Sequence, residues 1–319
     1  MISLYKLEVF NMVVQAGSFS AAAERLFLSQ PAVSQHVQAL ESSLGVQLFE
    51  RGPRGVRLTA SGEILYDYTR CILSLLSEAE SAVTNVSQLN SGQIRIGATP
   101  GVGSYVLPGW IQAFRMRYPK LTVSLLTDVT ARVVAALLNH TLDAGFIEGE
   151  LTDVPELEQV VLQTVSQWVV VSPDHAWAAR DAVSLDALRG EPFVMRTPES
   201  QTSLWLLQTL KNFDVVPHIV AEFDNPEAIK QAVIAGMGIS ILPEYVFQHE
   251  REAGRLHALA LQDVPLQRDL KLVWNARYPL TPVARAFLTG QFPHLLPKLQ
   301  GLNDDGGPTT LNKCQNDPF

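Results

Sequence analysis

Cysteine is almost missing from this chain. Two occur in 319 residues, Cys71 and Cys314, and their spacing matches no metal-binding pattern. That excludes a disulfide framework, and both are read as reduced thiols. Long apolar runs are missing too. None reaches the roughly 18 residues that a membrane span needs. The opening MISLYKLEVF lacks the basic, apolar and small-residue succession of a secretory signal. The expectation is a cytoplasmic protein without a membrane partner. Histidine is scarce, at seven, and no nucleophile motif, phosphate loop or metal spacing occurs. His175 beside Asp174 is explained by a turn, so an enzyme is not expected. Basic residues are outnumbered by acidic ones, 24 to 32, and the net charge is −8. Taken whole, that balance argues against nucleic acid.

The local balance differs. Residues 1–60 carry Lys6, Arg25, Arg51, Arg54 and Arg57 against Glu8, Glu24, Glu41 and Glu50, a net +1 that leaves −9 for the remainder. A binding face is what a nucleic acid meets, so the acidity elsewhere need not repel it. Leu4, Leu7, Val9, Phe10, Val13 and Val14 recur at helical spacing and predict a first helix, which Gly17 stops. Ser18 or Ser20 can cap a second helix, with Ala21, Ala22, Ala23, Leu26 and Phe27 as its helix-forming or core residues. Ser29 caps a third, and Pro31 is tolerated in its first turn because the amide it lacks would be unbonded anyway. Val33, Val37, Leu40 and Leu44 form the buried stripe of that third helix. Gln30, Ser34, Gln35 and Gln38 lie on its other face, flanked by Ala32 and His36. Amides can pair bidentately with adenine in the major groove, and Ala32 can touch a thymine methyl. After Gly45, strands over 46–50 and 56–59 are expected around the turn RGPRG. Arg51, Arg54 and Arg57 would project from this wing toward phosphate or a narrow minor groove.

A heptad pattern follows. Leu65, Ile72, Ala79 and Val86 fall in one column, and Tyr68, Leu75, Ala82 and Leu89 in the other. That is an a/d seam for a dimerising rod of about 45 Å. Ser91 and Gly92 are a short hinge. From there strands and helices alternate, the sign of α/β architecture. Strands are expected over 93–99, 121–128, 144–148, 168–172, 193–196, 218–223, 239–242 and 269–275. Helices are expected between them, and the last runs near 283–292.

The stretch LEVFNMVVQAGSFSAAAERLFLSQPAVSQHVQALESSLGVQLFERGPRGVRLTASGE resembles the DNA-binding domain of the LysR-type transcriptional regulators. The match is dense over the first 60 or so residues, and the layout is similar to about residue 298. The fold it implies is mixed α/β, in three parts. A winged helix-turn-helix covers 1–59, a coiled-coil linker helix with its hinge 60–92, and a two-lobed effector domain like the periplasmic binding proteins 93–300. The resemblance implies chain crossings near 164–167 and 265–268. Lobe I is then 93–164 with 269–300, and lobe II is 165–268. It also implies antiparallel pairing through the rod, a dimer of dimers on double-stranded promoter DNA, and contact with RNA polymerase. Residues 301–319, GLNDDGGPTTLNKCQNDPF, are expected to be a disordered tail.

In such sheets a ligand sits outside the carboxyl ends of the strands. That rule selects Thr99, Pro100, Gly101 and Ser104 after one strand and Glu148 at the end of another. In lobe II it selects Arg196, Ser200, Thr202, Ser203 and Asn225. Hydroxyls and free amides at helix starts suit an anion. The segments GATPGVGSYVLP, DAGFIEG and 196–202 resemble the branch of the family that governs sulfur assimilation or autotrophic carbon fixation. Effectors there are small anions, or phosphorylated and nicotinamide metabolites. No cofactor is expected beyond such an effector. The sequence departs from the branch at Glu199–Gln201, where an acid beside the seat would weaken anion binding unless it turns away. The alternative is a solute-binding protein without DNA activity. The first 90 residues and the missing export signal count against it.

Overall fold

The computed structural model describes residues 2–52, 55–84, 92–262, 264–278 and 280–295. Two compact units divide near residue 86. No helix among the described residues is long and apolar enough to cross a membrane.

The first unit begins with α1 (Leu4–Ala16), whose N-terminus is capped by Ser3 and whose end is turned by Gly17 at φ +68°. α2 (Phe19–Leu26) is capped by Ser18, and α3 (Gln30–Leu44) by Ser29. Ser20 lies inside α2, exposed, and caps nothing. Leu7, Phe10, Val13, Ala22, Val33, Val37 and Leu40 close on one another as the core of the three helices. β1 (Phe49–Gly52) and β2 (Gly55–Leu58) pair antiparallel as a short hairpin.

The wing strands thus differ from the expected 46–50 and 56–59. The reason is Glu41, whose buried carboxylate accepts from the Leu48 amide at 2.8 Å and the Phe49 amide at 3.4 Å. The Leu48 amide thus goes to Glu41 while its carbonyl accepts from the Thr59 amide at 3.0 Å, and the regular ladder starts at Phe49. Phe27 departs from its core assignment. It ends α2 in the left-handed conformation, φ 55°, with its side chain 95% exposed, and Leu28 packs on the core instead.

α4 (Ala60–Thr84) starts where the Thr59 hydroxyl accepts from the Gly62 amide. Its 25 residues span about 38 Å. Leu65 is drawn into the core of its own unit, which removes it from the seam. Tyr68 and Ile72 are exposed apolar residues, Leu75 is half-buried and Ala79 exposed. Val86, Leu89, the hinge residue Ser91 and the tail 301–319 lie outside the described residues, as does the side chain of Ala82.

The second unit is two-lobed. In lobe I, β3 (Gln93–Ala98) runs parallel to β4 (Thr122–Thr127) and β5 (Ala144–Glu148). A one-turn π-helical segment (Val102–Val106) leads into α5 (Leu107–Arg117), and α6 (Thr130–Leu138) follows β4. β6 (Leu157–Val171) is 15 residues long, much longer than the expected 168–172. Its first half carries Glu158, Gln159 and Gln163 toward solvent, a polar pattern that reads as loop in sequence.

Lobe II holds β7 (Ala182–Val183), β8 (Pro192–Arg196), α7 (Gln201–Lys211) and β9 (His218–Phe223). It continues through α8 (Pro226–Ile234), β10 (Ser240–Pro243), α9 (Glu244–Glu252) and β11 (His257–Leu261), the last not foreseen. The chain returns through β12 (Gln267–Asn275) to α10 (Pro282–Gln291). β6 is shared by the lobes. It pairs with β12 from Leu157 to Ser166, then with β10 and β11 from Gln167 to Val171. Two crossings therefore join the lobes, tied by the Gln167 amide donating to the Leu266 carbonyl at 2.8 Å. Ile94, Ile96, Phe146, Leu272, Trp274 and Phe287 centre the core of lobe I. Lobe II has two smaller cores, around Phe193, Leu206 and Ile239 and around Ile229, Val233 and Phe247.

Candidate nucleic-acid interface and inter-lobe cleft

α3 buries Val33, Val37 and Leu40 and turns the opposite face outward. Gln30, Pro31, Gln35 and Gln38 are exposed on it, and Ala32 and Ser34 are half-buried. The Gln30 amide donates to the Ser34 hydroxyl at 3.3 Å, so these two partly satisfy each other. Gln35 and Gln38 make no hydrogen bond among the described residues. Being three apart, they point from one face and are free to read base edges. His36 is held edge-on against Tyr5, ring centroids 5.0 Å apart, and so faces α1. Ser18 is occupied as a helix cap, its oxygen accepting from the Ala21 amide.

The wing presents Arg57, exposed on β2. Glu50 stands directly across the ladder from it. An acid opposite a phosphate-binding base weakens its pull, and sequence spacing alone does not reveal that pairing. Arg51 lies in β1 opposite Val56, its side chain not described, and Arg54 lies outside the described residues.

Between the lobes lies a cleft that is open to solvent. Eight residues selected by the strand-end rule line it: Thr99, Pro100, Gly101, Glu148, Arg196, Ser200, Thr202 and Ser203. Two do not. Ser104 sits exposed on the wide turn of the π-helical segment, whose Val102 and Gly103 face inward instead. Asn225 is used as the cap of α8, its carbonyl oxygen accepting from the Ala228 amide at 2.8 Å. Glu199 is exposed and does not line the cleft, so the feared acid turns away.

Glu148 is buried, and it is satisfied by three side chains. The Gln167 amide donates to it at 3.0 Å and Arg268 at 3.1 Å, and the Tyr245 hydroxyl donates to its other oxygen. Arg268 also donates to the Thr202 hydroxyl at 2.8 Å and to the Glu148 carbonyl at 3.0 Å, and lies over the Trp205 ring. Gly149 makes room for it: φ is +108°, and a Cβ there would sit 1.9 Å from Arg268 Nη2. Burial pushes the Tyr245 hydroxyl well above its ordinary range, and the Glu148 charge adds to this, so Tyr245 stays a neutral donor.

Arg196 has a different status. It ends β8 and has its Nε buried with no hydrogen-bond partner. Burial lowers its pKa, while Asp224 acts on it only through space, outside ion-pair distance. Arg268 is neutralised by Glu148, whereas Arg196 makes no ion pair among the described residues. The α7 N-terminus adjoins it, with Ser200, Thr202 and Ser203 on the lining. Tyr245, Arg268 and Gln167 were missed in the sequence. Tyr245 follows the carboxyl end of β10 and falls under the same strand-end rule. Arg268 and Gln167 mark the two crossings, where polar residues interrupt apolar strands.

Residues 4–63 match the model of the bacterial regulatory helix-turn-helix protein, lysR family, and residues 87–289 that of the LysR substrate binding domain. The HTH-type transcriptional activator CmpR of a Synechocystis species is 31% identical over 292 residues, covering 92% of this chain and 95% of that protein. A probable RuBisCO transcriptional regulator of Emiliania huxleyi is 31% identical over 289 residues, covering 88% and 91%. Both are named as transcriptional regulators, neither as an enzyme. The crystal structure of full-length CbnR complexed with its target DNA has the same fold, with a TM-score of 0.70 at 23% identity over 90% of this chain and 98% of that one. This chain belongs to the LysR family of DNA-binding transcriptional regulators, with a helix-turn-helix reader and a two-lobed effector domain.

Proposed function

We propose that the effector of this regulator carries a small anionic group, as an oxyanion or a phosphorylated metabolite, seated in the inter-lobe cleft. Arg196 carries this reading. It is a half-buried cation that makes no ion pair among the described residues, beside the N-terminus of α7. Helix-terminal amides and an unpaired guanidinium both favour negative charge. Val129, Pro226 and Ile229 on the same lining offer apolar surface for the carbon body of an organic effector. An effector shifts the regulator only by its difference in affinity between two lobe arrangements. Carbon fixation is the proposed province of its target genes, supported by the RuBisCO regulator among its relatives. The regulator acts in this proposal as a cytoplasmic dimer of dimers on promoter DNA, in contact with RNA polymerase. Tyr68 and Ile72, exposed on α4, are candidates for the pairing surface.

The test is a thermal-shift series on the full-length protein with inorganic sulfate, inorganic phosphate and a phosphorylated sugar. A ligand at 100 times its dissociation constant adds about 2.7 kcal/mol of stability. At least one anion should raise Tm, and Arg196→Gln should remove that rise while leaving ligand-free Tm close to wild type. Failure of every anion to raise Tm, or an anion effect untouched by Arg196→Gln, would overturn the reading.

A further inference from the structure

A second inter-lobe contact lies beside the cleft and does not line it. Tyr105, from the π-helical segment of lobe I, donates its hydroxyl to Glu227 in the first turn of α8 in lobe II. Its ring packs with Ile229, Val233 and Phe247, the core of lobe II. Lys230, only 4% exposed, stands 5.0 Å from the centre of that ring. Its ammonium is held by Glu227 at 2.8 Å and Glu250 at 3.0 Å, and Arg255 pairs with Glu250 at 3.1 Å. A buried lysine with two carboxylates and an aromatic face is fixed in place, so Tyr105 docks on a rigid receptor. Tyr245 does the converse. It comes from α9 of lobe II, packs against the core of lobe I and donates to Glu148. The two rings meet at 6.4 Å between centroids, tilted by 41°.

We propose that Tyr105 and Tyr245 form a reciprocal clasp that holds the lobes closed, with Tyr105 as a positioning residue that sets how often the cleft is assembled without touching the effector. Two lobes joined by two crossings move relative to each other unless something fastens them. The cleft lining draws on both lobes, so only the closed arrangement offers a complete site. Apparent affinity falls in proportion to the fraction of molecules that are competent to bind. A clasp outside the lining therefore tunes the response without altering the seat.

The experiment is hydrogen exchange by mass spectrometry on the full-length protein without added ligand, comparing wild type with Tyr105→Phe. The substitution removes one hydroxyl and keeps the ring over Lys230. The Gln167 amide donates to Leu266 at the crossings, and the Gly149 amide to Asp269 at the end of the β5–β12 ladder next to them, so the two report this region from within and from its lobe I edge. Peptides covering 148–150 and 166–168 should exchange several-fold faster in the variant. Those covering β3 and β10 should match wild type. Tyr245→Phe should speed the same crossing peptides, and the double variant should exceed either single one. Glu227→Gln keeps an acceptor for Tyr105 and should fall between wild type and Tyr105→Phe. Unchanged crossing peptides in Tyr105→Phe, or uniform acceleration that includes β3 and β10, would overturn the clasp. The readout needs no effector, so it stands or falls apart from the anion reading.

Discussion

Tyr105 and Tyr245 pass between the lobes in opposite directions, each donating its hydroxyl to a carboxylate on the far side, Glu227 and Glu148. Deprotonation of Tyr105 or protonation of Glu227 breaks the outer bond. Burial raises Tyr105 to about 12, and the hydrogen bond to Glu227 adds to it. For Glu227 burial pushes upward, but hydrogen bonds from Lys230, Tyr105 and Gln231 outweigh it and hold the carboxyl at about 2.

The signs give a pH window. Glu227 is depressed below its ordinary 4.5, so its contribution is whole above that value and lost as pH falls toward 2. Tyr105 is raised above its ordinary 10.0, so its contribution is whole below that value and lost as pH rises toward 12. Urea midpoints should therefore differ between wild type and Tyr105→Phe by a constant amount between about pH 5 and 9.5. The difference should shrink outside that range. A difference that peaks at either extreme would show that other groups dominate.

Gly149→Ala should be severe. The position has φ +108°, and the added Cβ would lie 1.9 Å from Arg268 Nη2, which is buried. Strained backbone costs about 1–3 kcal/mol. Displacing one partner of a buried ion pair costs about 3–5 kcal/mol. Urea denaturation should register a loss of at least about 1 kcal/mol, the lower end of the backbone share alone. A loss below about 0.5 kcal/mol, the scale of ordinary surface changes, would mean that Arg268 can leave its place freely.

Much of this was legible in the sequence, for identifiable reasons. Caps such as Ser18 and Ser29 act locally, so three residues suffice to reveal them. Eight of the ten residues selected by the strand-end rule line the cleft, because the rule depends on topology and not on ligand. Ser104 and Asn225 were misplaced because a helix start serves its own amides as readily as a ligand, and because a π turn shifts the facing residue. Partners distant in sequence were invisible. Glu148 and Arg268 are 120 residues apart, and nothing at either position announces the other. The Glu50–Arg57 pairing depends on the exact register of the hairpin, which composition and spacing do not reveal.

Phe27→Asn should stabilise the protein. Phe27 holds a left-handed conformation while its ring is 95% exposed, so no packing compensates the strain within its unit. Such a conformation costs an ordinary residue roughly 1–2 kcal/mol, and asparagine tolerates it better. A gain of about 0.5–1 kcal/mol in thermal or urea unfolding is expected. A loss instead would show that the ring is covered in the working assembly, and the turn would then be a contact surface.

The proposed reading face should separate into residues that discriminate and residues that hold. Gln35→Ala and Gln38→Ala should each lower the preference for operator over random DNA by about 1–3 kcal/mol, the worth of a bidentate base contact. Gln30→Ala should do less, because its amide is already engaged with Ser34. Arg57→Ala should weaken both DNAs alike and reduce the salt slope by roughly 0.9 for one lost phosphate contact per chain. Glu50→Gln should act oppositely and tighten both, since Glu50 faces Arg57 across the hairpin. Fluorescence anisotropy on operator and scrambled duplexes at several salt concentrations measures all five. Equal losses on both duplexes for Gln35→Ala and Gln38→Ala would remove base reading from α3. If Glu50→Gln leaves both affinities unchanged, Arg57 does not meet phosphate, and the grip of the wing must come from elsewhere on the hairpin.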